Sequence, residues 1–239
     1  MYHTIQRPSD PIGHDKMTFL PIRNHALRCF VALMAFVAIG TAHAAESGAP
    51  ASSAARMTDL QVRMMPFGAI FDSLASGNPD WPMQEKPDAV TPEQLSCLRD
   101  ELSTPGFRRY KLAQVEAYIA ANPSRVDAEI ALLEQGAADL FGTLVAAGAE
   151  SERSGVEADP AVVLKDASPE QMLSFVTFFS DPNYAGLRKL SGLGDALSID
   201  KSVQENESAG EKVGSTLTMQ IMLTAMSTCK VPASVLFDK

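Results

Sequence analysis

Histidine is missing from residues 45–239. All four histidines, His3, His14, His25 and His43, lie ahead of that stretch. The remainder therefore has no imidazole to complete a Ser-His-Asp triad, to act as a general base or to ligate zinc. Positive charge is scarce as well: residues 45–239 hold 16 Lys and Arg against 27 Asp and Glu, a net charge of −11. That balance argues against nucleic acid as a partner, because phosphates must be neutralised by Lys and Arg. No glycine-rich nucleotide loop is present; the glycine pair in Ser191–Leu197 reads as a turn between helices. Period-two alternation and runs of Val, Ile and Thr are also lacking, which excludes a sheet protein.

What is present at the N-terminus has the parts of an export signal. Arg23 and Arg28 precede an apolar run from Cys29 to Gly40, and Ala42-His43-Ala44 supplies a small-x-small cleavage site. The run is short of the roughly 20 residues that a membrane span needs. Cleavage is expected between Ala44 and Ala45, with no stable membrane insertion afterwards and a periplasmic or secreted product. Met17 is the natural start of this signal, and residues 1–16 add nothing to it. Residues 45–56, rich in Ala, Ser and Gly, read as a flexible linker, and 57–239 as a single helical domain.

Cys29 stands at the start of the apolar run, not behind it, so it does not fit lipidation. That leaves Cys97 and Cys229. In an oxidising compartment a lone pair most simply forms one disulfide. The chain-entropy model puts the stabilisation from closing so long a loop at about 4–5 kcal/mol.

Beyond residue 56 the pattern is helical throughout. Leu60, Met64, Met65, Ile70, Phe71 and Leu74 mark a first helix that Pro66 kinks or splits. Gly77–Val90 is a loop dense in breakers, with Trp81 a lid on the core. Leu112, Val115 and Ile119 form one stripe, closed by Asn122-Pro123. Ser124 with Asp127 resembles a capping box opening a long helix through Val126, Ile130, Leu133, Ala137, Leu140, Phe141 and Leu144. Gly148–Pro160 reads as an acidic loop. The final helix, near Glu207–Cys229, is apolar over most of its circumference and is expected in the middle of the bundle. Its Met219, Met222 and Met226 could bind Cu(I) in principle, but among Leu, Ile and Ala they read as core. No cofactor and no metal are expected.

Thr91–Phe107, TPEQLSCLRDELSTPGF, is echoed 77 residues later by Ser168–Tyr184, SPEQMLSFVTFFSDPNY, with five identities in 17 positions. Thr91 and Ser168 suit the N-cap, Pro92 and Pro169 the first helical position, and Gln94 and Gln171 the closing position of a capping box. Glu93 and Glu170 place negative charge at the positive end of the helix dipole. Leu95, Leu98 and Leu102 map onto Met172, Phe175 and Phe179. Thr104-Pro105 and Asp181-Pro182 then stop one helix and cap the next, with Phe107 and Tyr184 behind. The repeat therefore encodes structure, and the expected fold is an all-α bundle of about six to eight helices built on two similar helix-turn-helix units.

The run Ser168-Pro169-Glu170-Gln171-Met172 with Phe178-Phe179-Ser180-Asp181-Pro182-Asn183-Tyr184 resembles a family of bacterial secreted helical proteins of unknown function. The departure is Tyr184, where that family commonly has Gly shortly after the Pro. The resemblance implies a periplasmic all-helical protein and no known activity. A second resemblance, to lytic transglycosylases, rests on LTMQIMLTA at 217–225 and on Glu150-Ser151. It implies Glu150 as a carboxylate general acid and base acting on peptidoglycan, which needs a buried carboxyl of raised pKa. The residues before the Met-Gln pair and the missing Pro after it depart from that motif, and the two elements lie far apart in sequence. The basic pairs Arg108-Arg109 and Arg188-Lys189 are candidate contacts for a protein partner in the envelope. The leading expectation is a non-enzymatic interaction protein, such as an envelope-binding module or a toxin-neutralising (immunity-type) protein.

Overall fold

Local caps start most of the helices, and the chain spacing between caps sets their lengths. The computed structural model describes residues 51–156 and 159–237, an all-α bundle with no strand among them. The expected export signal, with its expected cleavage between Ala44 and Ala45, and the first part of the expected linker lie outside the described residues.

Helix α1 (Ser53–Met64) begins inside the stretch expected as linker, because Ser52 caps it by accepting from the Ala55 N–H at 3.2 Å. The linker expectation is corrected accordingly at Ser53–Arg56. Pro66 splits the next apolar run as anticipated, and α2 (Phe67–Gly77) follows. Trp81 is buried, with its ring centroid 5.6 Å from that of Phe71, so it does close over the core. Helices α3 (Pro92–Leu102) and α4 (Thr104–Ala121) come next. The capping box at Thr91 is complete: its hydroxyl accepts from the Gln94 N–H at 3.2 Å, and the Gln94 side chain accepts from the Thr91 N–H at 3.0 Å. Glu93 acts as expected of a first-turn acid, held below the ordinary carboxylate range by a backbone N–H and by the Thr91 hydroxyl. Ser103, one residue before the expected cap, starts α4 by accepting from the Gly106 N–H. Thr104 is instead claimed by Asp72 of α2, whose carboxylate takes its N–H at 3.0 Å and its hydroxyl at 2.7 Å.

Helix α5 (Val126–Leu132) passes through a π-type turn at Leu133–Ala137 into α6 (Ala138–Ser154). The expected capping box at Ser124 is absent; Arg125 holds the cap position with no side-chain bond. Nor is the run one regular helix, because Gly136 sits at φ 118°, a conformation that side chains rarely adopt. A side chain there would also strike Gln171, 2.3 Å from its Cγ. Val126–Ser154 has the length and apolarity of a membrane span, yet half of its most apolar window is buried inside the bundle. The expected acidic loop begins late, since α6 runs on through Ser154 to a left-handed cap at Gly155.

Helix α7 (Pro160–Lys165) leads to α8 (Pro169–Ser180), which repeats the capping box at Ser168 and Gln171 with distances of 3.2 and 2.9 Å. A short 3-10 turn capped by Asp181 leads into α9 (Ala185–Leu190). Helix α10 (Val203–Thr228) starts from a third capping box, Ser202 with Glu205, and ends at Cys229.

The central element is α1, not α10. Met57, Thr58, Leu60, Gln61 and Met64 of α1 are all buried as it packs on α4, α6 and α5. Helix α6 approaches so closely that a Cβ on Gly142 would lie 2.2 Å from the Arg63 carbonyl oxygen. In α10 only Leu217, Ile221, Ala225 and Met226 are buried, one stripe that faces α3. The expectation of a central C-terminal helix is thus corrected. The apolar residues of α10 exceed the surface that its neighbours cover, whereas the polar α1 is enclosed on several sides. Cys97 and Cys229 are joined in a disulfide with Cα atoms 5.7 Å apart, which fastens the end of α10 to α3.

Candidate functional site

The residues singled out from sequence divide sharply by environment. Glu150 sits on the exposed face of α6, where Arg153 one turn on donates to its carboxylate at 2.7 Å. That guanidinium holds the Glu150 carboxyl below its ordinary range. A general acid needs the reverse, a desolvated carboxyl that keeps its proton near neutrality. Arg108 is tied to Asp59 of α1 at 2.7 Å, and Arg109 to Asp100 and Glu101 of α3 at 2.6 and 2.9 Å. Arg188 is not a surface residue at all: it is 6% exposed and donates to the carbonyls of Phe178 at 2.7 Å and Asp181 at 3.0 Å, closing the C-terminal end of α8. Of the four, Lys189 alone is exposed without a cross-helix tie of this kind.

The feature missed in the sequence is Lys111. On α4 the positions Phe107, Lys111 and Val115 recur every four residues, so all three face inward. Lys111 is 4% exposed. Its Nζ donates to the Gln114 side-chain oxygen and to the Leu190 carbonyl, each at 3.2 Å, and lies 5.9 Å from the ring centroids of Phe107 and Tyr110. These are neutral acceptors and π faces; the ammonium has no carboxylate partner here. Burial therefore pushes its pKa down to about 8. The side chain lines a cleft of about 170 Å³ to which α4 contributes Tyr110 and Gln114, α9 and the turn after it Lys189, Leu190 and Gly192, and α10 Leu217 and Gln220. The available signal was a lysine standing in an otherwise apolar stripe.

A second buried ionisable group lies in the bundle interior. Glu129 of α5 is sealed from solvent, accepts from the Tyr118 hydroxyl at 2.7 Å and stands 3.6 Å from Arg125. Burial raises its carboxyl pKa, and burial together with Glu129 raises the Tyr118 phenol. Its second oxygen has no protein partner, and neither do the amide atoms of Gln61 on α1, which packs on α5. These are buried polar atoms on two helices in contact, whose desolvation no protein hydrogen bond offsets.

Among the described residues no group of three or more His, Cys, Asp or Glu side chains could hold a metal ion. The methionine stripe is core only toward its C-terminal end: Met226 is buried and Met222 half-buried, but Met219 is 43% exposed. The outer edge of α8 is a different kind of surface. Leu173 is 69% and Val176 36% exposed, three residues apart and so on one face of the helix. The corresponding positions of α3 are polar, Ser96 and Arg99. Comparison with family models, with curated proteins and with solved structures finds no match for this chain.

Proposed function

We propose that this chain is a non-enzymatic interaction protein of the periplasm or the extracellular space, an envelope-binding module or a neutraliser of a secreted toxin. The observation that carries the reading is the apolar edge of α8, where Leu173 and Val176 stand in solvent on an otherwise acidic protein. Apolar side chains left out of the core at one helix face are the material of a protein interface. The first copy of the repeat has polar residues at the same two positions, so the edge is not a by-product of the repeated pattern. The Cys97–Cys229 disulfide and the signal-like pattern of Arg23–Ala44 support an oxidising compartment, as does the likeness of Ser168–Tyr184 to secreted bacterial helical proteins. Glu150, exposed and paired, gives the peptidoglycan-active alternative no support.

The test is capture from envelope extract on immobilised protein, with Leu173→Glu/Val176→Glu as the comparison. A stoichiometric partner held by the native surface and lost on the double variant is the expected result. A partner retained equally by both, or clearing of cell-wall substrate that Glu150→Gln abolishes, would overturn the reading.

A further inference from the structure

We propose that the Lys111 cleft is a binding site for a small organic carboxylate with a short apolar tail. Three observations converge on that class. The first is charge: Lys111 is an ammonium enclosed between α4, α9 and α10, with an amide oxygen and a carbonyl as its acceptors and no acid beside it. An ammonium has three donors, and the two acceptors named leave one for a ligand. The titratable side chains that line the cleft with it are Tyr110 on α4 and Lys189 on α9; α10 contributes Leu217 and Gln220, neither of them ionisable. The lining therefore carries two cations and no carboxylate on a protein of net negative charge.

The second observation is size. At about 170 Å³ the cleft is well below the roughly 300–1,000 Å³ of sites for drug-sized molecules, which restricts the ligand to a few heavy atoms. The third is the lining. Leu190 and Leu217 give the lining its apolar part, and the side-chain amides of Gln114 and Gln220 add polar groups to it. A carboxylate head on Lys111 and Lys189 with a tail against the two leucines satisfies both parts of the lining. A compact polyanion would leave the leucines facing charge.

This site is separate from the α8 edge, and its test does not depend on that edge. The purified protein is titrated with sodium butyrate and, in parallel, with inorganic phosphate and butylammonium, followed by calorimetry and amide chemical shifts. Saturable one-to-one binding of butyrate is expected, with phosphate much weaker and butylammonium silent. Lys111→Met removes a charge-assisted hydrogen bond and should weaken butyrate by about ten- to a hundredfold. Lys189→Ala, at the exposed rim, should weaken it only several-fold. Gln220→Trp fills the mouth from an exposed position without touching Lys111, and should abolish binding while the circular dichroism stays native. No saturation with butyrate, equal affinity for phosphate, or binding that survives both Lys111→Met and Gln220→Trp would each overturn the assignment.

Discussion

Helices α3 and α8 open with the same cap, proline, acid and glutamine, and each closes the same capping box, yet the faces they bury only partly coincide. In α3 the deepest residues are Leu98 and Leu102. In α8 they are Ser174 and Phe178, whose counterparts in α3 are Cys97 and Glu101, with Phe179, the counterpart of Leu102, buried beside them. The two stripes share the Leu102/Phe179 position, and that of α8 extends to the row one residue earlier, about 100° around the helix. The second helices diverge further: α4 has 18 residues and α9 has 6. The two glutamines of the repeat also go separate ways. Gln94 donates to the Lys230 carbonyl at 2.9 Å, while Gln171 packs over Gly136.

The same offset pairs Lys111 with Arg188, a correspondence that the neighbouring basic pairs conceal. Both cations are buried, four residues after the aromatic that follows the repeat's proline turn. Arg188 folds back onto its own unit and satisfies the carbonyls of Phe178 and Asp181. Lys111 reaches across to the second unit's Leu190 carbonyl and borders the cleft. A planar guanidinium spans two carbonyls in fixed geometry, whereas an ammonium on a flexible stem is easily left short of partners. Repetition therefore conserved the position of a buried cation and separated its uses.

This contrast can be sharpened by measurement, beginning with the bridge that belongs to the first copy alone. Replacing Cys97 and Cys229 by Ser should lower stability by about 4–5 kcal/mol in urea denaturation; an unchanged midpoint would show that α10 holds to α3 without it. Phe178→Ala should destabilise by about 3–5 kcal/mol. Its counterpart Glu101→Ala, which loses a surface ion pair, should change stability by less than about 1 kcal/mol. Equal effects would mean that the two helices bury the same face after all.

The two cations should respond in opposite directions. Arg188→Met strands two carbonyls and should destabilise by about 2–3 kcal/mol. Lys111→Met, which relieves a desolvated charge, should be neutral or stabilising at pH 7. The folded pKa of Lys111 is depressed to about 8 from 10.5, so between those values the unfolded chain binds the proton that the folded one has released. Stability should accordingly rise with pH across that window, by at most about 3 kcal/mol, and Lys111→Met should flatten the rise. A thermal-melt series over pH 7–11 reads both. The smallest effects belong to the caps. Thr91→Ala and Ser168→Ala should each remove about 1 kcal/mol, and a large inequality between them would break the equivalence of the two helix starts.

Much of the bundle was legible in advance for one reason: capping is a contact between residues three apart, and both partners are written side by side. Thr91 with Gln94 and Ser168 with Gln171 are of that kind. So are the split at Pro66 and the stop at Asn122. Ser124 shows the limit, because a residue suited to capping does so only where the preceding backbone turns correctly, and here Arg125 takes the position. The candidate site was less legible. Glu150 and the arginines were visible as charges, and Arg153 lies within one turn of Glu150, but the partners Asp59 and Asp100 of the arginine pair depend on where helices meet. Lys111 was hidden because one lysine in an apolar stripe reads as an interruption until the enclosing helices are known.

The amino-acid order by itself determined an all-α chain, the starts of its repeated helices and a pair of cysteines available for one bridge, since helix periodicity and capping act within a few residues. Only the tertiary structure decided that the polar α1 lies at the centre, that α10 packs by a single stripe, and that Arg188 is satisfied while Lys111 faces a cleft. Burial is a property of what covers a side chain, and the covering elements come from distant parts of the chain.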